Sequence, residues 1–336
     1  MWNICWTRTG TSDIKAGKPA PKGEERVLDW HLYLHLMKFP LIVAPIMAAV
    51  CSLLSVFVVL RRMAMISEAV AHASLGGLAL SLLLGYGWGF ADSYWGQELI
   101  AGVFCITTGL LIGLFSRGRE VTVDSAIGIF LVASVALGVL MLYIRRDLPG
   151  PNKMPLEPEA VLFGSINSVA AADAWLISIL AALVFVVVLG MLPSFIYTTM
   201  DEEMARVHGV KTWLIHLLLL VMVSSIIAVA ARMVGTLMIN AMIILPGATA
   251  RLVSRRFGGV MIISLVVGVL GVTAALLASI AVAVANVPFV RSAPTGPILV
   301  LTLFLIFLAI WFIRRVRLFF HRRQKGRLAA AQAEHV

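Results

Sequence analysis

Charged residues are scarce in this sequence. Asp, Glu, Lys and Arg together make up 13% of its 336 residues, whereas hydrophobic residues make up 60%. An average soluble domain carries about 25% charged residues, so this composition excludes an ordinary soluble protein. It predicts instead an all-α, polytopic membrane protein.

Cysteine is also sparse, and two motifs that would indicate catalysis are missing. The three cysteines, Cys5, Cys51 and Cys105, form no CxxC pair and no even-numbered set, which implies neither a disulfide framework nor a soft-metal cluster. A GxxxxGK[ST] phosphate loop is absent, because the Gly-Lys pair at 17–18 is followed by proline, and an HExxH zinc motif is absent too. We therefore expect no ATP hydrolysis by this chain and no enzymatic activity.

Acidic residues are outnumbered, 17 against 27 Lys and Arg. The basic residues form short runs between apolar segments, as in cytoplasmic loops that face an anionic lipid membrane, and do not indicate nucleic acid. Residues 1–38 lack the apolar core of a signal peptide and are interpreted as a disordered polar tail, although a start at Met37 is equally compatible. The predicted organisation is this tail, a transmembrane domain at 39–316 and a basic cytoplasmic tail at 317–336.

Apolar segments long enough to cross a hydrocarbon core of about 30 Å recur along the chain. Placing the N-terminus outside puts most short basic loops in the cytoplasm, as the positive-inside rule requires. Residues 157–166 are too few to cross and predict a re-entrant or interfacial helix. We predict nine spans, with an uncertainty of one, at residues 39–60, 63–85, 97–116, 125–144, 171–198, 212–231, 233–253, 257–285 and 297–314.

The segment ILPGATA places Pro246 and Gly247 inside one of these spans. Proline removes a backbone donor and clashes with the preceding turn of a helix. Such a break survives in a membrane only where neighbours or a cavity satisfy the freed carbonyl groups. We therefore predict a helix break at Pro246 and Gly247.

Two ionisable residues, Glu68 and His72, lie four residues apart in the second predicted span. This spacing puts both on one helix face, beside small residues that end in Gly76 and Gly77 and allow another helix to approach closely. A bare charge near the bilayer centre would cost at least about 3 kcal/mol, so this face is expected to point into the bundle. Carboxylate oxygen and imidazole nitrogen together suit a divalent Zn, Mn or Fe ion.

The pair has other interpretations that the sequence leaves open. It could form a buried hydrogen bond or ion pair that holds helices together, or it could relay protons. Two ligands also make an incomplete metal site, so further ligands would have to come from other helices. His216, near the inner end of its span, is interpreted as structural.

Six sequence blocks occur in a set order over roughly residues 39–313. They are LRRMAMISEAVAHASLGG (60–77), TVDSAIGIFLVASVALGVLML (122–142), LFGSI (162–166), TTMDEEMARVHGV (198–210), VGTLMINAMIILPGATARLVS (234–254) and APTGPILVL (293–301). In this order they resemble the permease subunits of bacterial zinc, manganese and iron ABC importers.

The resemblance implies a multi-pass protein of the bacterial inner membrane that pairs with a second permease copy or a paralogue. A cytoplasmic ATPase would drive it, an extracytoplasmic binding protein would deliver the metal, and no cofactor would be permanently bound. The acidic residue and the histidine of the family carry over to Glu68 and His72. Many members have Asp in place of Glu68 and place Tyr, His or Asp before the last outer turn, where this chain is apolar apart from Asn286 and Arg291. The metal is therefore left open.

The block at 198–210 also resembles the cytoplasmic Asp-x-x-x-Ala-x-x-x-Gly stretch of that family. Asp201 can cap a short helix, Glu202 suits its positive end, and Gly209 can end it. The alternative is an ordinary loop helix. We predict the ATPase-docking residues to be Asp201, Glu202, Met204, Ala205, Val207 and Gly209, with Met204 and Val207 forming an apolar patch.

Two functions of other classes compete with a metal importer. A proton-coupled secondary transporter could use Glu68, but it gives no reason for a docking helix. An intramembrane metalloenzyme would need a fuller ligand set than Glu68 and His72 supply.

Overall fold

The computed structural model describes residues 38–85, 93–117, 122–147, 171–284 and 295–333, and all regular structure in these ranges is helical. Eight of the described helices are long and apolar enough to span a membrane, and a bent helix pair makes a ninth span if it is counted as one. The predicted all-α polytopic architecture is therefore confirmed. The predicted short helix at 157–166 and residues 1–37 of the tail lie outside the described residues.

The helices follow the predicted spans closely. They are α1 (Lys38–Leu60), α2 (Ile66–Leu84), α3 (Tyr94–Phe115), α4 (Val123–Asp147), α5 (Ala171–Gly190), α6 (Leu192–Met200), α7 (Glu202–Val207), α8 (Thr212–Val234), α9 (Thr236–Val253), α10 (Phe257–Val284) and α11 (Thr295–Ala333). The last helix continues without a break beyond residue 316, into the segment predicted as a basic tail.

The membrane helices form two groups, and helix α8 packs against both. In the first group α2 packs mainly against α3 and α4, and in the second α1 packs against α9, α10 and α5. Helix α8 joins the groups, because it contacts α2, α3, α5 and α9. The spans of α1 and α2 are the most enclosed, with 72% and 67% of their residues buried, whereas α4 and α11 each have 17% buried and leave wide apolar faces uncovered.

Helices α1, α9 and α10 approach closely where serine and glycine meet. A side-chain carbon added to Gly247 would lie 2.5 Å from Ser55 Oγ, and one added to Gly268 would lie 2.7 Å from Ser52. The backbone N–H of Gly247 donates to Ser55 Oγ at 2.8 Å, and Ser264 Oγ donates to the carbonyl of Ser52 at 2.8 Å. Small residues therefore provide both the close packing and the interhelical hydrogen bonds that hold these helices together.

The helix break predicted at Pro246 and Gly247 is wrong. Helix α9 runs without interruption from Thr236 to Val253, with Pro246 inside it. The close contact of Gly247 with Ser55 on α1 holds the backbone on the C-terminal side of the proline. A neighbouring helix therefore stabilises α9 at the point where proline removes a backbone hydrogen bond. The discontinuity lies instead at Gly235, between α8 and α9, where φ is 95° and glycine is the residue that tolerates it.

The predicted span at 171–198 is not one straight helix. Helices α5 and α6 are bent by 66° at Met191. Pro193 lies in the first turn of α6, a position that suits proline because its missing N–H would have no partner there. The bent helix α6 leads directly into α7.

A side chain at position 247 should destabilise this fold. We expect Gly247→Ala to lower the free energy of unfolding by about 1–3 kcal/mol, because the new methyl group has no space against Ser55. Gly102→Ala, in the interior of α3 with nothing within 4 Å of the added carbon, is the matched control and should keep or raise stability. Thermal unfolding of the purified protein in detergent measures both, and equal stability of the two variants would contradict the packing described.

Candidate functional site

The predicted metal residues lie at the beginning of α2. The helix starts at Ile66, three residues later than predicted, because residues 61–65 form a turn in which Arg62 has a φ of 57°. Glu68 is therefore in the first turn. With a rise of about 1.5 Å per residue, His72 lies about 9 Å along the helix, about a third of its length from the start.

Small residues fix how α2 packs around this pair. Ala69 and Ala73 are fully buried. Gly76, one turn beyond His72 on the same stripe, faces the backbone of Ser134 on α4, and Gly77 faces the backbone of Ala101 on α3. The predicted close approach of other helices to this face is present.

Glu68 and His72 are half-buried, and neither side chain makes a hydrogen bond or an ion pair with any residue in the part of the chain that the structure describes. The other polar side chains of α2 differ, because Ser67, Ser74 and Ser81 each donate to a carbonyl three residues earlier. The pair thus offers two free ligands, with β-carbons about 5–6 Å apart as expected for this spacing.

A complete metal site is not formed by the described residues alone. Within them, no group of three or more His, Cys, Asp or Glu side chains is close enough to hold a metal ion. A metal ion held by Glu68 and His72 would therefore need further ligands, such as residues of a second subunit or water molecules.

Sequence analysis missed a second carboxylate in the membrane. Glu98 is 6% exposed in the first turns of α3. It lies on the stripe of Ala101 and Cys105, which contact Gly77 and Val70 of α2. The signal was a single acidic residue at the start of an apolar span, which is a functional candidate by default in a membrane protein.

The short helix predicted at 201–209 is present as α7. The Asp201 side chain accepts a hydrogen bond from the backbone N–H of Met204 at 2.9 Å, which caps the helix. Gly209 follows the helix with a φ of 78°. Ala205 is buried, whereas Met204 and Val207 are 55% and 80% exposed, so α7 presents an exposed apolar patch. Glu202 pairs with Arg206 at 2.6 Å on the exposed side.

Arg61 joins the α1–α2 turn to the helix that leads into α7. Its Nη2 donates to Thr198 Oγ1 at 2.5 Å, and its Nε donates to Thr199 Oγ1 at 3.1 Å, both on α6. Its Nη1 lies 3.4 Å from Nδ1 of His216 on α8. One turn earlier, the buried rings of Phe57 and Phe195 lie 5.2 Å apart and bring α1 and α6 together.

The Arg61 cluster lines a cavity of about 830 Å³, at the same end of the bundle as α7, that also includes Arg117, Glu202 and Trp213. His216, interpreted from the sequence as structural, stacks on the ring of Trp213. The guanidinium group of Arg117 also lies over the Trp213 ring, 4.8 Å from its centroid. Burial lowers the pKa of Arg61, and the charge of Glu202 opposes that effect. The guanidinium stays charged at neutral pH, so a half-buried cation is held here by neutral acceptors.

Comparison with known proteins matches this architecture to one family. The model of the ABC 3 transport family matches residues 34–314. The manganese transport system membrane protein MntC of Halalkalibacterium halodurans is 30% identical over 213 residues, which cover 63% of this chain and 68% of the relative. The manganese import system permease protein ScaB of Streptococcus gordonii is 27% identical over 291 residues, covering 87% and 96%.

A solved structure shares the fold. PsaBC from Streptococcus pneumoniae, determined in complex with a Fab, superimposes with a TM-score of 0.66 at 26% identity. The match covers 83% of this chain and 92% of the other. The similarity therefore extends over nearly all of the membrane domain.

The contacts of Arg61 predict how firmly α6 and α7 are held. Arg61→Lys keeps the charge but removes the planar fork of donors, so amide hydrogen exchange in residues 192–207 should become about tenfold faster, the effect of losing one charge-assisted hydrogen bond. The neighbouring Arg62→Lys is the control, because Arg62 is exposed and should leave the exchange unchanged. Equal exchange in both variants would show that Arg61 does not hold this segment.

Proposed function

The chain belongs to the ABC 3 transport family, and from this premise we propose that it forms the membrane pathway of an ATP-driven importer of a divalent transition metal. The family relationship makes it a permease subunit of a metal transporter, embedded in a bacterial membrane. The observation that carries the proposal is the pair of half-buried, unpartnered side chains on α2, Glu68 and His72.

Glu68 and His72 suit transient binding of a metal better than a purely structural role. A carboxylate that only held helices together would be expected to have a hydrogen-bond partner, since an unpaired buried charge is costly. Here neither side chain has one among the described residues, so both are available to a passing cation. Two protein ligands plus water would hold the metal weakly enough to release it again.

A second permease copy would complete the coordination. In a two-fold symmetric dimer with α2 next to the axis, a second Glu68 and a second His72 would face the first pair. Four ligands of this kind match the usual coordination number of zinc and fit within that of manganese. A heterodimer with a paralogue would work in the same way if the paralogue carried equivalent residues.

Manganese is the first candidate for the cargo. Two relatives bear manganese transport in their names, and the carboxylate of Glu68 is a hard oxygen ligand that suits Mn²⁺. Zinc and iron remain compatible with a mixed carboxylate and imidazole set. An extracytoplasmic binding protein would deliver the ion to the outer end of α2 and α3.

The ATPase would bind on α7, and Arg61 would transmit the resulting displacement of α7 to the helix that carries Glu68 and His72. The exposed Met204 and Val207 offer an apolar patch for a cytoplasmic partner. Asp201, which caps α7, directly follows α6, and α6 is bound to the α1–α2 turn by Arg61. Since Glu68 lies in the first turn of α2, a displacement of α7 would shift the helix that carries the metal ligands.

The metal residues predict a specific loss of transport. In proteoliposomes that contain the permease and its ATPase, with the binding protein supplied on the outer side, His72→Ala should reduce uptake of radioactive manganese by at least about tenfold, a loss no smaller than that seen when the hydrogen-bond partner of a metal ligand is removed. Ser74→Ala, which removes a buried hydroxyl bonded only to its own helix, is the control and should transport normally. Normal uptake by an assembled His72→Ala complex would mean that the pair is structural and that the proposed path is wrong.

The apolar patch of α7 predicts where the ATPase binds. Met204→Asp should abolish co-purification of the ATPase and stimulation of its ATP hydrolysis, because a charge would be buried in an apolar contact. Val253→Asp, at the end of α9, is matched in exposure, since both side chains are 55% exposed, and should retain the ATPase. If both variants retain it equally, α7 is an ordinary loop helix.

A further inference from the structure

A second cytoplasmic cavity, which we name the arginine cavity, lies at the ends of α1 and α6. It has a volume of about 620 Å³ and is formed by the last residues of α1 and α6, the end of α9, the start of α10 and an interior part of α11. Three arginines and several large apolar residues line it, among them Arg251, Arg255, Arg314, Leu60, Val260 and Phe307. It contains neither of the predicted metal residues and none of α7.

The charge of the arginine cavity is not compensated. Its lining contains no carboxylate. None of the side chains of Arg251, Arg255 and Arg314 makes a hydrogen bond or an ion pair within the described ranges of the chain. Arg206, by contrast, is paired with Glu202 at 2.6 Å. Three converging guanidinium groups without a partner favour an anion, and arginine binds phosphate oxygens in a bidentate manner.

The position of these residues along their helices separates a charged end from an apolar end. Arg251 is in the last turn of α9, and Arg314 lies three residues before the end of the α11 span at Arg317. Phe307, two helical turns before Arg314, lies about 10 Å deeper in the membrane. Val260 is buried in the first turn of α10. The arginines thus lie at the level of lipid headgroups, and the apolar residues lie at the level of the first acyl carbons.

We propose that the arginine cavity binds an anionic phospholipid of the cytoplasmic leaflet. Its phosphate would be held by Arg251, Arg255 and Arg314, and its acyl chains would pack on Leu60 and Phe307. Basic pockets between membrane helices on the cytoplasmic side bind such headgroups in general. A free inorganic anion would contact the arginines but not the apolar residues of the cavity. Binding of an acidic protein segment would likewise not require these apolar residues. The bound lipid would fasten α11 to the α9–α10 turn.

The test compares two triple variants that remove the same charge from the same segments. The first, Arg251→Gln with Arg255→Gln and Arg314→Gln, removes the cavity arginines. The control, Arg256→Gln with Arg315→Gln and Arg317→Gln, removes neighbouring arginines that do not line the cavity. Binding of phosphatidylglycerol to the purified full-length chain in detergent is measured by native mass spectrometry, beside phosphatidylcholine with the same acyl chains and inorganic phosphate.

We expect the wild type and the control to bind phosphatidylglycerol in preference to phosphatidylcholine, and the cavity variant to bind it about a hundredfold more weakly, given the contribution of each basic residue near an anionic headgroup. Equal binding by the two triple variants would overturn the proposal. So would displacement of the lipid by inorganic phosphate at equal concentration, which would indicate a site for a free anion. Loss of the ATPase with lipid binding intact would indicate a protein contact instead.

A pair of single variants guards against misfolding of the triple variants. Arg255→Gln should weaken phosphatidylglycerol binding about fivefold, whereas the adjacent Arg256→Gln should not change it. Because lipid binding is the measurement, the result is independent of which metal is transported and of whether transport requires ATP.

Discussion

A charged side chain costs at least about 3 kcal/mol at the centre of a bilayer, and the polar residues of this chain are arranged according to that cost. Within the spans, serine hydroxyls such as those of Ser74 and Ser81 donate to carbonyls of their own helices, and Ser55 accepts a hydrogen bond from a neighbouring helix. Glu68 and His72 are exceptions, since they are half-buried without a partner in the described chain. Polar groups that break the general rule are where transport chemistry is expected.

At the end of the bundle that carries α7, side chains that are far apart in the sequence contact one another. Arg61 contacts Thr198 and Thr199, which are 137 and 138 residues away, and His216, which is 155 residues away. Through these contacts α7, the bent helix α6 and the start of α2 are connected over a few residues. If an ATPase binds α7, as we propose, these contacts would transmit its movement to the helix that carries Glu68 and His72.

Local signals in the sequence predicted most membrane helices and the capped helix α7, but not the continuity of α9 through Pro246. Span length and hydropathy located the membrane helices, and the capping residue Asp201 and the final Gly209 predicted α7 to within a residue. Contacts between helices could not be predicted in this way, because they depend on which faces meet. Pro246 illustrates the point, since its helix stays continuous through contact of Gly247 with Ser55, about 190 residues earlier in the sequence. The convergence on Arg61 and the burial of Glu98 were missed for the same reason.

The central claim is that this chain carries a metal inward only when a partner hydrolyses ATP. The most direct measurement is elemental analysis of manganese, zinc and iron in cells that lack their own importers for these metals and express the chain with its binding protein and either an active or an inactive ATPase. The account predicts selective accumulation of one metal, several-fold above cells without the chain, only with the active ATPase. Equal accumulation with the inactive ATPase would contradict it and would support gradient-driven transport through Glu68.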